Sequence, residues 1–252
     1  MRILLTNDDG INAPGFAVLE EIARTISDDI WICAPAEEQS GAGHSLTLNM
    51  PVRLRQHGEK RFSVTGTPTD AVMLGLRTVF DTPPDLILSG VNRGANLGDD
   101  ITYSGTVSAA MEGALAGIRS IALSQVLNRE MGDDIFAAAR AWGEKVLRPL
   151  LDMDFADRSL ININFPPRAP DAIKGIRVVR QGFHDYSRGS VVEGRDPRGL
   201  KYYWFGLHAI EHTPDHGTDL EAIADGYIAV TPLRPELTHE GSLTSLTERY
   251  AT

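Results

Sequence analysis

The chain has 252 residues, enough for one large α/β domain or two small ones, and its 42% hydrophobic and 23% charged residues are ordinary for a globular protein with a sizeable core. A formal net charge of -10 excludes a broad nucleic-acid-binding face, because neutralising phosphates needs clustered Lys and Arg. The single cysteine excludes an intrachain disulfide, and no run approaches the roughly 20 apolar residues of a membrane span.

Ile3 to Leu5 read as a short buried strand, and Pro14 opens a helical pattern with Phe16, Leu19, Ile22, Ala23 and Ile26 on one face. A strand this close to the amino terminus leaves no basic and apolar export segment, so the expected location is the cytoplasm. Ile30 to Ala34 form a second strand ending at Pro35, with Cys33 inside it as a small buried hydrophobe. Ser63 to Thr65 lie in a strand, followed by a helical stretch through Asp70, Val72, Met73, Leu76 and Val79. Leu86 to Ser89 form a buried strand stopped by Gly90, Ser104 to Ile118 a helix, and Ile121 to Leu123 a further strand. From Asp133 to Leu150 the helical period returns through Phe136, Ala139, Trp142 and Val146. This alternation predicts an α/β domain over residues 1–150 with a mostly parallel sheet covered by helices.

Residues 151–252 read as a smaller β-rich part that returns to this core. Leu160 to Phe165 alternate as a strand before Pro166-Pro167, and Tyr227 to Val230 form a late strand. Ile176 to Val179 and Tyr202 to Phe205 read as the arms of an extended hairpin, about 176–206, joined by the polar stretch Asp185 to Gly199. Such an arm cannot bury itself and packs against a second subunit or the domain body.

Three loops after strands carry small polar residues. In the first, Asn7-Asp8-Asp9-Gly10, two adjacent carboxylates leave the carboxyl end of a strand, where open α/β sheets place their ligands. They raise each other's pKa unless a cation lies between them, and hard divalent cations such as magnesium take such oxygens. The plainer reading is a surface turn, since Asp-Gly is a hairpin signal, but here a helix follows. The second loop, Pro35 to Ser45, carries Glu37, Glu38, Ser40 and His44 among glycines that let backbone amides approach a ligand, or is simply a flexible loop. The third runs from Ser89 through Asn92, Asn96 and Asp99-Asp100 to Ser104-Gly105-Thr106, which starts a helix whose first turn lacks acidic residues. Free amides and two hydroxyls there suit a phosphate, and Ser104 equally suits an ordinary N-cap. Asp99-Asp100 is a second metal pair or a solvated loop, and His44 a solvated histidine or a catalytic one. Glu211-His212 and Asp215-His216 look like ligands, but Pro214 breaks the helix that such a pair needs. With no GxSxG elbow, no CxxC pair and no GxGxxG fingerprint, serine-hydrolase and zinc readings have no support and a dinucleotide-dependent oxidoreductase only a weak one.

The ordered motifs ILLTNDDG with Pro14-Gly15, APAEEQSGAGHS at 34–45, GTPTD at 66–70, SGVNRGANLG at 89–98 and YSGTVSAAMEGA at 103–114 resemble the SurE survival-protein family of metal-dependent nucleotidases. Weaker echoes follow in INFP at 163–166, GTD at 217–219 and GYIAVTPL at 226–233, so the resemblance spans nearly the whole chain. It implies a Rossmann-like three-layer α/β/α domain, with an extended β-hairpin and carboxyl-terminal segment exchanged between subunits of a homodimer or homotetramer. It implies one divalent cation, magnesium or manganese, on Asp8, Asp9, Ser40 and Asn92. The implied reaction is phosphate release from nucleoside 5'- and 3'-monophosphates, and in some members from short polyphosphate. On this reading Asn96, Ser104, Gly105 and Thr106 hold the phosphoryl group, a metal-activated water attacks, and Asp8 and Asp9 are the catalytic pair. A nucleotide-binding regulatory module without turnover is the competing class.

Overall fold

The computed structural model describes residues 1–128, 132, 134–184, 189–207 and 217–251. Strand β1 (Arg2–Thr6) buries Ile3, Leu4 and Leu5 completely. Side chains alternate across a strand, so Ile3 and Leu5 enter one core and Leu4 the other, as a central parallel strand requires. Helix α1 (Pro14–Arg24) starts on Pro14 without a side-chain cap and buries Phe16, Leu19, Ile22 and Ala23.

Strands β2 (Asp29–Pro35), β3 (Leu54–Gly58) and β4 (Arg61–Val64) follow, then α2 (Pro68–Leu74). A capping box starts α2: the Thr67 side chain accepts from the Asp70 N–H while the Asp70 carboxylate accepts from the Thr67 N–H. The helical stretch widens into a π turn over Gly75–Val79. Next come β5 (Leu86–Arg93), α3 (Gly105–Leu115), β6 (Arg119–Gln125), α4 (Ala137–Leu147), β7 (Leu160–Phe165) and β8 (Ile176–Val178). Strands β9 (Gly189–Arg195) and β10 (Lys201–Leu207), helix α5 (Asp219–Ala224), strand β11 (Ile228–Leu233) and helix α6 (Glu240–Tyr250) complete the order.

Nine strands form one sheet in the order β3-β4-β2-β1-β5-β6-β7-β11-β8. Its pairings are parallel except β3 with β4 and β11 with β7. Helices α1 and α4 cover one face through Phe16, Leu19, Ala138 and Leu147. Helices α2 and α3 cover the other through Ala71, Val72, Val107 and Ala110. This is the three-layer α/β/α class expected. Strands β7, β11 and β8 extend that same sheet beyond residue 150. Among the described residues no helix is long and apolar enough to cross a membrane.

Four expectations are corrected. Ile176–Val178 is not a hairpin arm: it pairs in parallel with β11 at the sheet edge. The hairpin is β9 against β10, within 189–207, and its first arm, Gly-Ser-Val-Val-Glu-Gly-Arg, is nearly all exposed and carries no alternation to betray it. Gly90 does not stop β5, which runs on to Arg93 with a register shift between Ser89 and Asn92. A Cβ at Gly90 would lie 2.2 Å from the Leu123 carbonyl, so glycine lets the two strands close here rather than ending one. The helix expected from Asp133 begins at Ala137, because the Asp134 side chain and carbonyl take the N–H groups of Phe136 and Ala137 in a turn; Asp133 itself lies outside the described residues. Strand β3 has no counterpart in the sequence pattern, since all five of its residues are exposed.

At the opposite end of β2 from its outgoing loop, Asp29 accepts from Lys60 Nζ at 2.8 Å, Trp31 Nε1 at 2.9 Å and Arg2 Nε at 3.1 Å. The Lys60 ammonium foremost, opposed by burial and aided by Trp31 and Arg2, holds this carboxyl down from 3.8 to about 2. A depressed folded pKa adds stability above the unfolded value, and that stability is lost as pH falls from about 4 to 2. Urea denaturation of Asp29→Asn therefore shows a smaller loss of stability between pH 5 and pH 2 than the unsubstituted protein.

Candidate functional site

The sheet order places β2 on one side of β1 and β5 on the other, so the carboxyl ends of β1 and β5 flank a topological switch point, the usual ligand crevice of an open α/β sheet. Three loops meet there, and each is tied to the next. The Gln39 N–H donates to the Asp8 carbonyl at 2.8 Å, joining the loop after β2 to the loop after β1. The Gly43 N–H donates to the Tyr103 carbonyl at 3.1 Å, joining it to the loop before α3. The Arg93 N–H donates to Asp9 Oδ2 at 3.1 Å, closing the circle from the end of β5.

Asp8 is only 5% exposed. The Thr106 hydroxyl donates to its Oδ1. Burial pushes its carboxyl up from 3.8 to about 6; the Thr106 hydroxyl works against that shift and the Asp9 charge adds to it. Asp9 is raised too, by burial first and by Glu38, while the Arg93 N–H opposes the rise. Helix α3 reaches this carboxylate because residue 105 is glycine: a Cβ there would lie 2.7 Å from Asp8 Cβ and 3.0 Å from its Oδ2. Two desolvated carboxylates thus stand side by side, and no salt bridge of either is found among the described residues.

Of the other residues expected on a cation, Ser40 shares with Asp9, Glu38 and Arg93 a cleft of about 240 Å³. Its hydroxyl donates to Glu38 Oε1 at 2.8 Å. Asn92 sits beside the Arg93 amide that binds Asp9, and its Nδ2 donates to the Gly94 carbonyl at 3.2 Å. Such a donor set is two carboxylates completed by neutral oxygens, which suits a hard divalent cation. Among the described residues no three of His, Cys, Asp or Glu cluster as a metal site.

Ser104 is the N-cap of α3, its hydroxyl accepting from the Val107 N–H at 3.0 Å. That hydroxyl keeps its own hydrogen to donate, so cap and anion contact are compatible. The first N–H groups of a helix have no intrahelical partner; the Thr106 N–H turns to the Asp8 carboxylate, and Gly105 stands against the same side chain. Asn96 is buried, and its Nδ2 donates to Ser124 Oγ at 2.8 Å.

The remaining candidates go elsewhere. His44 Nε2 lies 3.1 Å from Glu112 Oε2, outside the carboxylate cluster. Asp99 accepts from the His184 N–H at 2.8 Å and faces its Nδ1 at 2.9 Å, so it joins the segment after β8 rather than a second metal pair. Glu211-His212 and Asp215-His216 lie outside the described residues. Cys33 is fully buried and its thiol is pushed by burial up to about 12, so it is inert. A cavity of about 1130 Å³ runs along α3 past Met111 and Leu115 and includes none of Asp8, Asp9, Ser40 or Asn92. The sequence places Glu38 in the second loop without a role, and the structure sets it beside Asp9; sequence reasoning missed Asn162, Asn164 and Ser124 as partners of Asn96. The sequence signals for the asparagines are their place in the apolar run Leu160 to Phe165 and, for Asn164, the INFP motif.

Residues 3–188 match the family described as Survival protein SurE. A relative from Erythrobacter litoralis (strain HTCC2594), named 5'-nucleotidase SurE, is 72% identical over 251 residues, covering 99% of this chain and 100% of its own. Another of that name, from Rhizorhabdus wittichii, is 64% identical over 253 residues, again covering 99% and 100%. The crystal structure of the SurE protein from Aquifex aeolicus superposes with a TM-score of 0.85 at 37% identity, covering 99% of both chains.

The local geometry makes its own prediction. Thr106→Val keeps shape but takes away the hydroxyl donor of a buried carboxylate, which costs about 1–3 kcal/mol. Chemical denaturation of the variant at pH 8 shows a loss of that size; unchanged stability would mean that the Thr106–Asp8 bond is immaterial.

Proposed function

This chain belongs to the survival protein SurE family, and from that premise we propose that it is a 5'-nucleotidase, hydrolysing nucleoside 5'-monophosphates, and 3'-monophosphates as well, to nucleoside and phosphate. One observation carries the reading: adjacent carboxylates, Asp8 buried and Asp9 half-buried, share their rim with the amino terminus of α3, and Asp8 meets that helix at Thr106. An acidic pair repels a phosphate and a helix amino terminus attracts one, so the two make chemical sense together when a cation lies between them.

The residues fit such a cation. Asp8 and Asp9 would hold one magnesium or manganese ion, with Ser40 Oγ and Asn92 Oδ1 as its further protein ligands. When bound, that ion supplies Lewis-acid polarisation of a phosphoryl oxygen and makes water a better nucleophile.

The chain does the rest. The Ser104 hydroxyl, the Gly105 amide and the Asn96 side chain hold the phosphoryl oxygens in line, and their preorganised donors stabilise charge as it develops. An amide nitrogen carries two hydrogens, and Ser124 takes one from Asn96 Nδ2, which leaves the second for the phosphoryl group. Thr106 fixes Asp8 so that the carboxylate does not swing into the phosphate's place. Asp9, less buried and held by the Arg93 amide, accepts the proton of the attacking water. Direct attack by Asp8 is the rival chemistry, and the bond from Thr106 to Asp8 Oδ1 speaks for a fixed ligand instead.

The working form is a homodimer or homotetramer in the cytoplasm. Support for assembly comes from the β9–β10 arm, where Trp204 is 69% and Phe205 86% exposed, and from α6, which buries none of its residues. A single buried thiol suits a reducing compartment.

Phosphate release from AMP with manganese or magnesium tests the reading. The protein turns over, chelator abolishes turnover, and Asp8→Asn or Asp9→Asn lowers kcat/KM by roughly a hundredfold or more. Equal release from protein and variants would overturn the assignment; nucleotide binding without any release would make the protein a regulatory module, and a phosphoaspartate trapped at Asp8 would replace water attack.

A further inference from the structure

Strand β7 is paired on both sides, to β6 and to β11, so its backbone needs nothing from its side chains. Yet Asn162 and Asn164 are each 1% exposed inside it, where an apolar residue would avoid the cost of burying an amide. Both turn that cost to one use. Asn162 Nδ2 donates to the Asn96 carbonyl at 2.8 Å, and Asn164 Nδ2 donates to the same carbonyl at 2.9 Å. Asn164 Oδ1 also accepts from the Asn96 N–H at 2.9 Å. Asn164 thus grips both ends of one residue, donor to acceptor and acceptor to donor, as a neighbouring strand would.

The grip continues on either side of Asn96. The Gly94 N–H donates to the Gln125 carbonyl at 3.0 Å. The Gly98 N–H donates to Asp219 Oδ2 at 2.8 Å, and Asp219 Oδ1 accepts from the Gly182 N–H at 2.8 Å and the Leu220 N–H at 2.9 Å. Asp219 is fully buried. Gln181 Nε2 donates to the Gly98 carbonyl at 3.0 Å. A loop with no strand or helix of its own over residues 94–97 is therefore pinned at 94, 96 and 98, by β6, β7 and α5 in turn. The INFP and GTD motifs, otherwise without a part in the chemistry, supply two of the three pins.

We propose that Asn164, backed by Asn162 and Asp219, is a positioning residue that sets where Asn96 meets the phosphoryl group of the substrate. This rests on the reading of Asn96 as a phosphate contact. The oxygen of a phosphate accepts at hydrogen-bond distance only when the donor is held there beforehand, and a shift of about 1 Å costs on the order of a hundredfold. The pins meet that need from the back of the loop, through the peptide of Asn96 and through Ser124 on its side chain, so the second Nδ2 hydrogen is presented without a search.

The test compares Asn164→Asp, which keeps shape and the acceptor but loses the donated bond, with Asn96→Ala and with the double variant. Steady-state KM and kcat for AMP are measured with manganese, and affinity for inorganic phosphate by calorimetry. Asn164→Asp raises KM and weakens phosphate affinity about tenfold or more, with kcat falling less than KM rises. In the Asn96→Ala background the same substitution adds less than twofold to either. Ser124→Ala, at the edge of the network, repeats the non-additivity and stands in if Asn164→Asp does not fold. Unchanged KM and phosphate affinity in Asn164→Asp, or in Ser124→Ala where that variant stands in, while Asn96→Ala is impaired, overturn the proposal and leave the site reading intact. Equal effects of Asn164→Asp with and without Asn96 overturn it too, since the residue would then act through the fold. An unimpaired Asn96→Ala overturns both.

Discussion

Two carboxylates on consecutive residues, one of them almost sealed from water, set the terms for everything around them. At the effective dielectric of a protein rim, two like charges a few ångströms apart repel by a few kcal/mol. The chain answers with what it has: a hydroxyl from Thr106 on Asp8 and a backbone N–H from Arg93 on Asp9. These contacts leave Asp8 at about 6 and Asp9 raised as well, so the local donors alone do not restore an ordinary acidity. On the proposed reading a divalent cation is the partner that this arrangement lacks, and it would make an acidic rim into a place for an anion.

The fold supplies the crowding. The switch point between β1 and β5 brings the loops after β1, β2 and β5 to one spot, and the Asp8–Gln39, Gly43–Tyr103 and Asp9–Arg93 contacts lace them together. Gly105 admits α3 against Asp8, and the helix brings the amides of its first turn with it. Farther out, buried amides on β7 and the Asp219 carboxylate hold the 94–98 loop from behind. Chemistry at the crevice is thus tied to strands on both sides of β1.

How much of this is legible in the sequence follows from what each residue leaves as a trace. Strands β1, β2, β5, β6 and β7 show as apolar runs because they are buried on both faces, and α1 because its apolar residues recur at helical spacing. Asp8-Asp9 and Ser104-Gly105-Thr106 are visible because their residue types are unusual where a strand ends and a helix begins. Strands β3 and β9 leave no such trace, since exposure on both sides removes the pattern. Gly90 misleads, because a glycine that lets two strands close reads like one that stops a strand. The Asn96 grip is invisible for another reason: its partners lie 28 to 68 positions away, and only the folded sheet puts them in register.

The most direct measurement is anomalous diffraction at the manganese absorption edge from crystals of the protein soaked in manganese chloride. The account predicts one peak per chain, bound by both Asp8 and Asp9 and approached by Ser40 Oγ and Asn92 Oδ1. Absence of a peak there, with Asp8 still bound to Thr106 and Asp9 still on the Arg93 amide, would contradict it.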